Sequence, residues 1–176
     1  PRPRRAAGAR RDRGLNSRRK HRMRTLISNA CVITGNDAGD THPHGYVLID
    51  DGRIAAVGSM DAAPPSDGAE VIDAEGDFVT PGLINMHQHL HMNLMKGLAD
   101  GMLLEPWAIN FSALSRRMMT REYVRNSARL AAMEMLRTGT TCVLNHQSPY
   151  PWPELHHDAA DALAQAGLRQ VMAVAF

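Results

Sequence analysis

Three histidines, His87, His89 and His91, fall within five residues in the run VTPGLINMHQHLHMNLMKGLADG, which spans Val79–Gly101. On an extended strand residues i and i+2 share a face, so LINMHQH read as a strand puts His87 and His89 side by side. Two neutral imidazoles at that spacing can take adjacent positions on one divalent ion. Spacing alone does not separate a ligand pair from two neighbouring histidines. His91 falls where the strand should end, and is read as a pocket or substrate-contacting residue with a solvated loop histidine as the alternative. His146 follows CVLN at the end of a later strand, a pocket wall or a surface loop residue. A second His-x-His, His42 and His44 in DTHPHG, provides a control. Pro43 lacks a donor and Gly45 is a loop former, so this pair is expected in a loop and is not taken as a site.

Positioning such groups requires a frame, and the chain shows two grammars. Before Thr80, TLISNACVIT and GYVLID are rich in strand formers, DDGR is a hairpin turn and RIAAVG returns. AEVIDAEGDFVTPGLI is expected to form a second hairpin turning at AEGD, and SMDAAPPSDG a loop. After Gly82, strands alternate with helices. TREYVRNSARLAAMEMLRTG reads as a helix capped by Thr120 and stopped by Gly139, with Val124, Ala128, Ala131 and Met135 on its apolar stripe. Arg121, Arg125 and Arg129 recur on the side expected to face water. TTCVLN and LRQVMAVAF are strands flanking a helix around HHDAADALAQAG, in which His156 and His157 are polar first-turn residues. Strand and helix in alternation imply parallel pairing. Three such strands cannot close an eight-unit barrel, so the sequence reads as the front of a longer protein.

The charge distribution sets off the first 22 residues, which hold 10 of the 20 Lys+Arg and only Asp12 among acids. This basic arm, residues 1–22, has no apolar periodicity and is expected to be a disordered coil upstream of a natural start at Met23. The remainder is acidic, and a hydrophobic fraction of 44% fits a globular body. Cys31 and Cys142 lack CxxC partners, which fits a reducing, cytoplasmic setting. No apolar run is long enough for a membrane span. The arm could attract nucleic acid electrostatically, but no ordered nucleic-acid motif accompanies it.

The segment VTPGLINMHQHLHMNLMKGLADGMLLEPW, continued by AAMEMLRTGTTCV, resembles the amidohydrolase superfamily. The likeness is to the subgroup of S-adenosylhomocysteine and methylthioadenosine deaminases, guanine and 8-oxoguanine deaminases, and triazine hydrolases, and covers Met23 to Phe176. It implies an α/β fold: the first three strands of a TIM-type (β/α)8 barrel over residues 81–176, preceded by strands of a small β-domain over 23–80. It implies that His87 and His89 ligate one catalytic divalent ion, zinc or alternatively iron. The remaining ligands and the proton-transfer machinery are expected beyond position 176.

Substrate-binding candidates are His91, Trp107, Arg116 and His146. In the adenosine-type deaminases of the subgroup a glutamate before the long helix binds ribose hydroxyls; ungapped comparison places Arg116 there, and a guanidinium cannot accept those protons. A free base, a triazine-like ring or an anionic heterocycle is therefore favoured over a nucleoside. The implied activity is metal-dependent hydrolysis of a C–N or similar bond at an sp² ring carbon, with the whole enzyme a homo-oligomer and this chain alone inactive. The rivals are a cyclic-amide hydrolase of the same superfamily, and a non-catalytic remnant using its basic arm on nucleic acid.

Overall fold

The computed structural model describes residues 23–147 and 153–174. The expectations for the basic arm and for Phe176 lie outside these residues. The chain divides into two compact units at Thr80/Pro81.

The first unit is a β-sheet. β1 (Arg24–Ile33), β2 (Thr41–Asp50) and β3 (Arg53–Ser59) form an antiparallel meander. Asp51 and Gly52 join β2 to β3, both at positive φ, as a tight hairpin requires. Alternation on β2 feeds two small cores: Tyr46 and Leu48 pack with Leu26, and Val47 packs with Ala30 and Val32.

Two expectations fail here. The second hairpin does not form: β4 (Glu70–Asp73) and β5 (Phe78–Val79) both run parallel to β1. The AEGD turn is an excursion along one edge, because β1 itself bulges at Asn29, which has φ 54°. The Ala74 and Gly76 amides donate to Ser28 and Asn29 carbonyls at 2.9 and 2.8 Å, so the detour follows the bulge and the chain resumes its direction. His42 and His44, expected in a loop, lie on β2. Pro43 is tolerated because β3 pairs only from Gly45 onward and β1 is irregular between Ala30 and Val32.

The second unit carries β6 (Leu83–Gln88), β7 (Thr140–Gln147) and β8 (Arg169–Val174), parallel and in that order. Among the described residues four helices intervene: α1 (Leu104–Pro106), α2 (Ser112–Met118), α3 (Arg121–Arg137) and α4 (Glu154–Gln165). A 3-10 turn, Leu90–Met95, follows β6, and a π-turn, Trp107–Phe111, joins α1 to α2. The Thr120 side chain accepts from the Tyr123 amide at 3.1 Å, capping α3. Ala128, Ala131 and Ala132 of α3 and Ala159 and Ala162 of α4 share one core with Val143 of β7. Small side chains there let the helices close on the strand.

The arginine row of α3 does not simply face water. Arg121 Nε and Arg125 Nη2 reach the buried Asp158 of α4 at 2.7 and 2.6 Å, because the helices pack close enough for two long side chains to cap one carboxylate. β6 exposes Leu83, Ile84 and Met86 and is an edge strand paired only with β7 among the described residues.

Candidate metal centre

Gly82 sets the start of β6. A Cβ there would lie 2.2 Å from Thr141 Cγ2, so only glycine lets the strand enter this close to β7. β6 then runs to Gln88. His89 leaves the strand with φ −107° and ψ 84° and opens the 3-10 turn. The two rings nevertheless converge: His87 Nε2 and His89 Nε2 are 3.2 Å apart, with the ring planes nearly perpendicular at 87°.

That separation suits one metal ion. Two nitrogens each about 2.0–2.1 Å from a tetrahedral zinc are about 3.3–3.4 Å apart. The second nitrogen of His89 is also accounted for. Its Nδ1 lies 2.9 Å from the His146 carbonyl, which can only accept, so Nδ1 carries the proton and Nε2 presents a lone pair. His87 stacks on the His146 ring, 4.3 Å between centroids and 30° between planes. The end of β7 thus orients both imidazoles at the end of β6. Among the described residues no group of three His, Cys, Asp or Glu is gathered to hold a metal. The pair fits as two ligands of an incomplete set.

An open cleft of about 440 Å³ borders the pair, lined by His87, Gln88, His89, Met92, Asn93, Met95, Lys96, Asp100, Trp107 and Phe111 among others. Trp107 and Phe111 stack with centroids 6.2 Å apart, giving one wall a flat aromatic surface. Of the candidate substrate-binding residues, only Trp107 lines the cleft. His146 contributes through its carbonyl and a ring face. His91 is 3% exposed and sits behind His89, ring centroids 5.9 Å apart, because the 3-10 turn folds it against α3. Burial, with the neighbouring His89, pushes its imidazole down to about 4. Arg116 is exposed on α2 and does not border the cleft.

Several polar residues that the sequence reading did not single out converge here. Asn93 is buried and its Nδ2 donates to Glu134 Oε2 on α3 at 2.9 Å. Lys96 ion-pairs with the same oxygen and holds the Glu134 carboxyl below the usual carboxylate range. Ser127 Oγ donates to the Leu90 carbonyl and Tyr123 Oη to that of His91, at 2.6 and 2.9 Å. Their signal was a polar intruder in an apolar run: Asn93 inside HLHMNLM, and Glu134 between two methionines of AAMEMLR.

Residues 78–175 match the model of the Amidohydrolase family. A 5-methylthioadenosine/S-adenosylhomocysteine deaminase of Shouchella clausii is 34% identical over 155 residues, covering 85% of this chain and 34% of its own length. Its namesake from Halalkalibacterium halodurans is also 34% identical, over 85% of this chain and 33% of its own length. The chain thus spans about a third of the length of the curated relatives it matches. Among solved structures, atrazine chlorohydrolase from Arthrobacter aurescens complexed with zinc superposes with a TM-score of 0.77 at 27% identity, over 85% of this chain and 35% of that one. Guanine deaminase from C. acetobutylicum, at 18% identity and a TM-score of 0.71 over 85% of this chain and 35% of that one, shares the fold. The histidine pair at the end of β6, the parallel strands behind it and the match across 78–175 agree: the chain belongs to the amidohydrolase family.

Proposed function

We propose that the chain forms the first part of a metal-dependent aminohydrolase, with β6, β7 and β8 the first three strands of an eight-stranded barrel. The carrying observation is the convergence of His87 Nε2 and His89 Nε2 to 3.2 Å, with His89 Nδ1 fixed by the His146 carbonyl. His87 and His89 would hold one divalent ion, zinc or alternatively iron. When bound, such an ion supplies a water-derived nucleophile at neutral pH.

The chain's own residues do the rest of what can be assigned to this part. His146 keeps His89 in the tautomer that presents Nε2 to the cleft. Trp107 offers a planar apolar face next to the pair, and Met92 and Met95 an adaptable one, which suits a flat ring lying against the wall. The substrate is accordingly proposed as a heterocycle, a free base or triazine-like ring, carrying an amine or similar leaving group on an sp² carbon. Neighbours named for guanine and triazine chemistry support this class, and the relatives named for methylthioadenosine, a nucleoside, support the heterocyclic ring alone. Further ligands and the proton-transfer groups would come from the rest of the enzyme.

The test is ammonia release by the zinc-loaded complete enzyme from a panel of aminopurines, aminopyrimidines and aminotriazines, with chloride release followed for chlorinated triazines. Turnover of at least one ring compound is expected. Turnover confined to cyclic amides, with none of the ring compounds hydrolysed, would overturn the aminohydrolase reading.

A further inference from the structure

A one-way chain of hydrogen bonds leads from α3 to the histidine pair. At one end the His87 backbone amide donates to Asn85 Oδ1 at 3.1 Å. Asn85 Nδ2 donates to Gln88 Oε1 at 3.3 Å, and Gln88 Nε2 donates to Asn93 Oδ1 at 2.7 Å. Asn93 Nδ2 donates to Glu134 Oε2 at 2.9 Å, and the Lys96 ammonium meets the same oxygen.

The polarity of this relay is forced from both ends. An ionised carboxylate only accepts and a backbone amide only donates. Glu134 therefore requires Asn93 to present its NH₂, which leaves Asn93 Oδ1 for Gln88. Gln88 must then turn its oxygen to Asn85, whose own oxygen is left for the His87 amide. Asn85 Nδ2 also faces Met135 Sδ at 3.8 Å, a weak acceptor consistent with that orientation. Reversing any one amide sets donor against donor or acceptor against acceptor. Asn93 is 4% exposed, so water has little room to repair such a conflict.

We propose that Glu134 is a positioning residue for the metal pair: through Asn93, Gln88 and Asn85 it fixes the main chain at His87. The proposal rests on the reading of His87 and His89 as ligands. It assigns work to a helix residue three side chains away from the His87 main chain, and it distinguishes hydrogen-bond polarity from charge. The Glu134→Gln change leaves a side-chain oxygen that still accepts from Asn93 and Lys96. The Asn93→Asp change opposes carboxylate to carboxylate. Combining the two restores a consistent relay, because the amide introduced on α3 can then donate to the carboxylate introduced in the 3-10 turn, while the exposed Lys96 ammonium, which met the oxygen that this NH₂ replaces, turns to the new carboxylate or to water.

Four variants of the 176-residue chain test this: Glu134→Gln, Glu134→Ala, Asn93→Asp and the Asn93→Asp/Glu134→Gln double. Two quantities are read, hydrogen exchange of the His87 amide in the metal-free chain by NMR and the dissociation constant for Co²⁺ by visible absorption. Outer-sphere changes at metal sites cost about 10–100-fold in affinity, so Glu134→Ala and Asn93→Asp are expected to weaken Co²⁺ binding and speed His87 exchange by about tenfold. Glu134→Gln should stay within about twofold of the parent and the double variant within about threefold, since both keep every donor between Asn85 and position 134 facing an acceptor. Exchange elsewhere in β6 and β7, and the melting temperature, separate this effect from a general loss of stability. The proposal is overturned if Glu134→Ala leaves both readouts unchanged, or if the double variant is no better than Asn93→Asp alone. Because the pair is part of an incomplete ligand set, a parent chain that binds no Co²⁺ does not bear on the ligand reading, and His87 exchange then decides on the relay.

Discussion

The chain carries His-x-His at His42–His44 and at His87–His89, the latter overlapped by His89–His91, and the rings of His87 and His89 bring their Nε2 atoms to 3.2 Å. His42 and His44 flank a proline on β2, where His42 sits opposite Val32 beside an irregularity in β1. His87 and His89 flank a glutamine at the end of β6, where one ring is held by a carbonyl of β7, the other stacks on His146, and the intervening Gln88 is pinned at both ends of its amide. The difference teaches that His-x-His supplies only two imidazoles. The neighbouring strand and a helix behind it select the tautomer and bring the lone pairs together.

The largest expected effect breaks the pair itself. In the zinc-loaded complete enzyme His87→Ala or His89→Ala should lower turnover by about a hundredfold or more and remove most bound metal, since outer-shell losses alone cost about 10–100-fold. His42→Ala and His44→Ala should leave both unchanged. Equal losses from the two copies, measured by metal analysis and kcat/KM, would erase the distinction drawn between them.

The glycines beside the two motifs sharpen the comparison. Gly82→Ala places a Cβ 2.2 Å from Thr141 Cγ2, and Gly45→Ala places one 2.7 Å from His42 Cβ and 2.8 Å from the Gly58 carbonyl. Each should destabilise its own unit by about 1–3 kcal/mol. Only Gly82→Ala should also weaken Co²⁺ binding, because it displaces the strand that carries the pair. Thermal unfolding with a parallel Co²⁺ titration checks both halves.

Behind the site, Asp158→Asn should cost about 1–2 kcal/mol, toward the low end because both guanidinium groups are open to water. The Arg121 hydrogen bonds, aided by Arg125, hold the Asp158 carboxyl below the usual carboxylate range in the folded chain. Its contribution is therefore fully present above the unfolded carboxylate pKa and lost as pH falls through the lower folded value. Urea unfolding at pH 7 and at successively lower pH should show the variant and parent converging in acid. The smallest effect is at the helix start: Thr120→Ala removes the acceptor for the Tyr123 amide and should cost about 1 kcal/mol, read as a small fall in melting temperature.

Much of this was legible in the sequence because it depends on local rules. Strand-forming composition and the DDGR turn marked the meander, Thr120 and Gly139 bounded α3, and His87 and His89 stood out by spacing. The second hairpin was not legible, because AEGD makes a turn in either topology and only the bulge at Asn29 decides that the chain goes forward. Arg125 and Asp158 lie in different helices, so their pairing depends on how α3 and α4 pack. The relay to Glu134 depends on amide orientations that become determined only when both ends of the network are in place. His91 carried the same side-chain chemistry as its neighbours, and the 3-10 turn that buries it had no signature in the composition of LHMNLM.

The most direct test is an anomalous difference map recorded at the zinc edge from crystals of the zinc-loaded complete protein. The account predicts a peak about 2.0–2.1 Å from both His87 Nε2 and His89 Nε2, with His89 Nδ1 still directed at the His146 carbonyl. A zinc peak bound elsewhere, with the two rings turned away from one another and His42 or His44 among its ligands, would contradict it.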